Sequence, residues 1–195
     1  MGALADVVRR LVELTVTCDM PASEADEIVR ELSASADRLS QHVPSPFHER
    51  WAAPAEPGPL NMQDALPFDP VIGRYNPVAP ALRVEIAPPG AVGRGVFTKA
   101  YEGGPGWVHG AAIAAAFDLV LTAANLSDGG AGPTRQLSIR YRRPTRLNRE
   151  CLFEGWVDSR SETRVVSKGR LLQGDVVTVE SEGEFAVMDP ERIGK

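Results

Sequence analysis

Residues 101–118, YEGGPGWVHGAAIAAAFD, limit most sharply what this chain can become. A Gly-Pro-Gly turn leads into His109-Gly110, followed by small apolar residues that run to about residue 126 with one carboxylate, Asp118, among them. The pattern predicts a helix over about 109–126, apolar on nearly every side. Such a helix must be enclosed by other elements. A lone acid inside it is costly to bury unless it is paired or has a task.

The flanking sequence supplies an enclosure. Leu82, Val84 and Ile86 alternate with Arg83 and Glu85, Pro88-Pro89-Gly90 turns the chain, and a second strand is predicted over 91–100. After the helix, strands are predicted over 135–143, 150–159, 164–173 and 176–188. The first places Leu137, Ile139 and Tyr141 on one side; the last places Val177, Val179, Phe185 and Val187 on one side. Gly174-Asp175 fits a two-residue hairpin loop. The order β-β-α-β-β-β-β predicts an α+β fold, a strongly curved antiparallel sheet wrapped around one central helix. No Gly-rich dinucleotide fingerprint, phosphate-loop pattern or internal repeat is present.

The chain of 195 residues leaves room for more than this domain. Residues 3–17 place Leu4, Val7, Val8, Leu11 and Leu14 near one helical face. A second helix is predicted from Ser23, read as an N-cap with Asp26 three residues on, and it carries Ile28, Leu32, Leu39 and Val43 to the stop at Pro44 and Pro46. Both stripes are expected to serve packing or oligomerisation. Eleven of the 16 prolines lie between residues 44 and 90, a density that excludes sustained helix there. The expected division is an N-terminal helical extension over 1–45, a Pro-rich connector over 46–66 and the sheet-and-helix domain over 67–190. FDPVIGRYNPVAP is expected to run as an ordered loop over that domain.

Charge excludes some function classes. A net charge of -5 argues against a nucleic-acid binder. Cys18 and Cys151 have no metal-ligand spacing, so neither a metal nor a disulfide framework is expected. The N-terminus does not read as a secretory signal, and the apolar run around 110–126 is interrupted by Asp118, so no membrane span and a cytoplasmic location are expected.

The chemistry concentrates in the central stretch. Gly103, Gly104 and Gly106 let a ligand approach the backbone. The first amides of the helix, at His109 or Gly110, have no intrahelical acceptor and sit at the positive end of the dipole, a ready site for a developing oxyanion. Asp118 fits a general base or a nucleophile. If His109 is helical, it and Asp118 lie about 180° apart around the axis and roughly 13 Å along it. One copy then cannot aim both at the same atom, and a site shared across a two-fold dimer is expected.

These residues resemble a known family. Gly106-x-x-His109-Gly110-Ala111-x-x-Ala-x-x-x-Asp118, with the preceding EG-x-PG loop, is similar to the signature of hotdog-fold acyl-CoA thioesterases, of the PaaI-like and thioesterase-superfamily-member type. TRQLSIRYRRP from Thr134 resembles their T-x-x-L-x-(I/V)-x-Y-(K/R)-x-P strand. The resemblance covers about residues 70–188 and implies the hotdog fold, homodimers that can pair into tetramers, and hydrolysis of acyl-CoA thioesters without a cofactor, coenzyme A being part of the substrate. By position it implies Asp118 as the catalytic acid, Gly110 as the polarising amide, His109 as a motif member and Thr134 as the hydroxyl beside the acid. Ala111 replaces the second glycine of the motif, and Gly103 stands where some relatives hold a water with Asn, which shifts weight to Thr134.

Six arginines, at 135, 140, 142, 143, 146 and 149, fall within fifteen residues of an otherwise acidic chain. Arg142 and Arg143 are the candidates for the phosphates of coenzyme A; the alternative is a solvated strand face. The competing function is a non-catalytic acyl-CoA or lipid binder on the same fold. A hydratase is a weaker third, since no Asp-His pair shares a short loop.

Overall fold

The computed structural model describes residues 2–45, 62–80, 82–130 and 132–187. Among the described residues, three helices precede the sheet: α1 (Gly2–Thr15), α2 (Ala22–Ser40) and the single turn α3 (Met62–Ala65). Then follow β1 (Arg83–Ala87), β2 (Gly90–Val96), the long helix α4 (Gly110–Ser127), β3 (Thr134–Tyr141), β4 (Glu150–Arg160), β5 (Arg164–Gln173) and β6 (Val176–Ala186). All six strands join one antiparallel sheet in the order β1-β2-β4-β5-β6-β3, so β1 and β3 are its edges.

α4 lies mainly over β1, β2, β4 and β5. A row of small residues crosses the sheet beneath it. Ala91 pairs with Gly155, Gly155 with Gly169, and Gly169 with Ser181. A Cβ at Gly155 would stand 3.0 Å from Val120, and one at Gly169 would stand 3.1 Å from Leu121. Missing side chains in the sheet are therefore what let the helix settle. Phe97, Phe117 and Phe153 fill the core beside this trough, with Phe117 and Phe153 edge to face at 5.1 Å.

Enclosure of α4 is one-sided in the single chain. Ile113, Ala116, Phe117, Val120, Leu121, Ala123, Ala124 and Asn125 are buried. Ala111 and Leu126 are exposed, and Ala115, Asp118 and Thr122 are half-buried. Spacings of three and four place these on one open flank, and Asp118 is on it. By length and apolar content the helix could cross a bilayer, but here it is the core helix of the sheet.

Four sequence expectations are corrected. Ser23 is not the N-cap of α2: Pro21 caps it with φ -60° and ψ 144°, and its carbonyl accepts from the Glu24 and Ala25 N–H groups. Ser23 is thus already helical, where its hydroxyl cannot cap. The proline-dense stretch does form helix once, over the proline-free residues of α3. Of the connector expected over 46–66, residues 46–61 lie outside the described residues, as do 188–190 of the domain expected to end at 190. β2 ends at Val96, and Lys99–Tyr101 form a 3-10 turn instead of strand. Finally, Val177 does not share a side with Val179 and Phe185. The β5–β6 register skips Thr178, a bulge that turns Val177 to the other face.

α1 and α2 differ in how they pack. α1 buries Ala5, and its Arg9 donates to the Asn76 and Ala79 carbonyls at 3.1 and 3.2 Å. α2 buries no residue, and Ile28, Leu32 and Leu39 stay exposed. The stretch 68–80 is the ordered loop expected of it, with Asp69 accepting from the Val71 and Ile72 N–H groups and Ile72 fully buried.

Candidate active site

His109 is the N-cap of α4, with φ -63° and ψ 133°, and its Nδ1 accepts from the Ala111 N–H at 3.0 Å. Its carbonyl accepts from the Ala112 N–H at 3.0 Å, and its own N–H donates to the Tyr101 carbonyl at 2.8 Å. Ring and backbone are therefore spent on building the helix start. Among the described residues, the Gly110 N–H meets no acceptor. It is the free donor of the first turn, at the positive end of the dipole.

Ala111 is compatible with this arrangement. Its side chain is exposed, and its N–H already donates to His109. Gly103 has less freedom, since a Cβ there would come within 2.9 Å of the His109 Cα. An Asn at that position would push the helix start aside.

Sequence reasoning missed the role of Tyr141. It belongs to the strand motif, but its partner is 31 residues away: its hydroxyl donates to the Gly110 carbonyl at 2.8 Å. A Cβ at Gly110 would fall 2.8 Å from that hydroxyl, so the glycine is required by the tyrosine across from it. Burial raises the Tyr141 phenol above its ordinary value, which keeps the donating proton in place at neutral pH. With Tyr141 on one side and His109 on the other, the peptide units flanking Gly110 are fixed.

Asp118 lies eight residues into α4 from Gly110. That is about 12 Å along the axis and about 80° around it. Because His109 is a cap and not a helical residue, the 180° separation does not apply; the axial separation remains. One Asp118 oxygen, Oδ1, accepts from the Thr134 hydroxyl at 2.7 Å. Thr134 opens β3 beside an irregularity between Thr134 and Gln136 in the pairing with β6, a local bend that aims its side chain. The structure thus brings Asp118 and Thr134 together at one point, and His109, Gly110 and Tyr141 together at another.

A cleft of about 400 Å³ opens at the helix start, between Trp107, Gly110, Ile113, Tyr141, Arg142 and Arg143. Arg142 lines it but is held by Glu180, with Nε and Nη2 at 2.9 and 2.6 Å from one carboxylate oxygen. Its N–H and that of Arg143 both donate to the Thr178 carbonyl, beside the β6 bulge. Arg143 is exposed with no ion pair among the described residues, and Arg146 leans over the Trp107 ring at 6.0 Å. Of the two arginines that line the cleft, Arg143 is therefore the one without an ion pair among the described residues, and Arg146 stands next to it over Trp107. No cluster of side chains that could hold a metal occurs among the described residues.

In chemical terms there is a fixed N–H donor for a carbonyl oxygen, a hydroxyl-oriented carboxylate, and a cleft with cations at its mouth. The profile of the thioesterase superfamily matches residues 105–180, which include every one of these groups. A solved thioesterase superfamily protein is similar over 94% of this chain and 93% of its own, with 32% identity and a TM-score of 0.80. Zebrafish thioesterase superfamily member 2 shares 19% identity over 55% of this chain and 81% of its own, with a TM-score of 0.51. A single-site mutant of the phenylacetic acid degradation protein PaaI from Thermus thermophilus shares 18% over 55% of this chain and 93% of its own, also at 0.51. The last two attest the fold alone. No curated protein matches the chain.

Proposed function

This chain belongs to the thioesterase superfamily, and from that premise we propose that it hydrolyses acyl-CoA thioesters at a site shared by two copies. The observation that carries the reading is the pairing of a free Gly110 N–H at a capped helix start with a Thr134-held Asp118 further along the same helix.

The thioester carbonyl oxygen docks on the Gly110 N–H, where negative charge is stabilised as it develops. Asp118 takes a proton from a water molecule whose oxygen attacks the carbonyl carbon. The Thr134 hydroxyl keeps its proton and donates a hydrogen bond to Asp118, leaving its lone pairs to accept from that water. The tetrahedral intermediate then collapses, the carbon–sulfur bond breaks, and the thiolate leaves with the proton held by Asp118. Arg143 and Arg146 at the cleft mouth suit the phosphates of coenzyme A.

Two copies are required because about 12 Å separates the donor from the base in one chain. β3 supplies the means. It is an edge strand with Thr134 at one end and Tyr141 at the other. Antiparallel pairing of two such edges, about an axis between Leu137 and Ser138, sets Thr134 of one copy opposite Tyr141 of the other. The Asp118–Thr134 pair of one chain then faces the Gly110–Tyr141 pair of the next.

The test is hydrolysis of a panel of acyl-CoA thioesters by the wild type and by Asp118→Ala. Loss of about 10²-fold or more in kcat, with the folded assembly retained, is expected, in the range for a general base. Equal turnover by the variant would remove Asp118 from the mechanism, and tight acyl-CoA binding without turnover by the wild type would favour the non-catalytic binder.

A further inference from the structure

The helix start is held in place from outside the sheet. We infer that Arg9 and Tyr101 are positioning residues for the Gly110 amide, which makes α1 a brace for the active site.

The contacts run in an unbroken series. Arg9 is only 25% exposed, and its guanidinium donates to three acceptors: the Asp6 carboxylate at 2.8 Å, the Asn76 carbonyl at 3.1 Å and the Ala79 carbonyl at 3.2 Å. The Tyr101 hydroxyl approaches the same turn and donates to the Val78 carbonyl at 2.9 Å. Three carbonyls of one turn, at 76, 78 and 79, are thus taken by two side chains that reach it from different elements. The backbone carbonyl of Tyr101 in turn accepts from the His109 N–H at 2.8 Å, and His109 caps α4 with its ring. The Tyr101 ring stands edge-on against Phe97 in the core at 5.7 Å, so the segment is pinned on both sides.

The chemistry suits the task. An arginine fork is planar and always charged, and it loses little freedom when it satisfies two carbonyls at once. Burial raises the Tyr101 phenol, with nearby Arg9 lowering it and Glu13 raising it, so the hydroxyl is a donor at neutral pH. A cleft of about 340 Å³ lies between α1 and the segment around Tyr101, and Arg9 and Tyr101 both line it. A displacement near 1 Å at a catalytic donor can cost about 10²-fold in rate.

The kinetic readout rests on the proposed hydrolysis; the exchange readout does not. In the full chain, Arg9→Ala and Tyr101→Phe are compared with wild type by hydrogen–deuterium exchange and by acyl-CoA turnover. Expected are faster exchange confined to about residues 101–113, a fall in kcat of roughly tenfold with KM within about twofold, and an intermediate value for Arg9→Lys, which keeps the charge but loses the fork. Unchanged exchange in that segment overturns the proposal, as does faster exchange there with kcat unchanged. A loss spread over the whole sheet, which a merely structural role would give, also overturns it. If the wild type turns over no acyl-CoA, the hydrolase reading fails, while the exchange result alone still decides whether α1 braces the helix start.

Discussion

Glu102 shows how one side chain shapes the approach to the helix. Its Oε1 accepts from the Gly106 N–H at 2.7 Å, and Lys99 closes on its other oxygen. Gly106 itself has φ +76°, a backbone state that a side chain would strain. The Lys99 hydrogen bond first, then the Gly106 N–H, hold the Glu102 carboxyl below its ordinary value of 4.5. A carboxyl lowered in the fold contributes in full above its unfolded value, and that contribution is lost as pH falls through the folded value. Protection of the Gly106 N–H, followed by NMR, should therefore hold at neutral pH and decline below about pH 4.5. Glu102→Gln should start lower and show no such step. A step of the same size in the variant would assign the acid sensitivity to another group. The motif alone presents this glutamate as a fixed letter; only the turn it closes shows what it does.

Among the elements, α4 and the sheet meet through absence of side chains. Gly169 illustrates the cost of filling the trough: a Cβ there would lie 2.8 Å from the Glu154 carbonyl, 3.0 Å from the Ser181 hydroxyl and 3.1 Å from Leu121. Backbone cannot yield as a long side chain can, so Gly169→Ala should destabilise the domain by about 1–3 kcal/mol, the usual range for overpacking. Denaturant unfolding measures this, and a shift under about 0.5 kcal/mol would mean the helix rides higher than described. The strands themselves are legible in the sequence, because alternation and turn residues are local signals. What escapes is non-local or irregular. The bulge at Thr178 that turns Val177 outward leaves no trace in a period-two pattern. The Tyr141–Gly110 contact joins residues that only the sheet brings together. The start of α2 misleads because Ser23 has the side chain of a good N-cap, yet the chain is helical one residue before it, from Ala22, with Pro21 at the cap. Asp118 stands out by its chemistry, whereas its Thr134 partner rests on the family resemblance.

At the scale of the whole molecule, the proposed two-copy site rests on three features of the single chain. Among the described residues one flank of α4 is open, β3 is a sheet edge, and the proposed base and donor lie about 12 Å apart on the helix. Pairing two β3 edges answers all three conditions with one symmetry operation. The consequence can be tested by complementation. Asp118→Ala and Gly110→Val each disable one half of the site, the latter because a Cβ at Gly110 meets the Tyr141 hydroxyl. Each homodimer should be inactive. A heterodimer, co-expressed with two tags and purified through both, has one site with both defects and one with neither. It should show about half the wild-type kcat per dimer, as the two-fold arrangement requires. If base and donor act within one chain, each chain of the heterodimer still carries a defect and activity stays at background. The two arrangements therefore differ by half of full activity against none, and the folded mass of each dimer guards against an unfolded variant mimicking the second result.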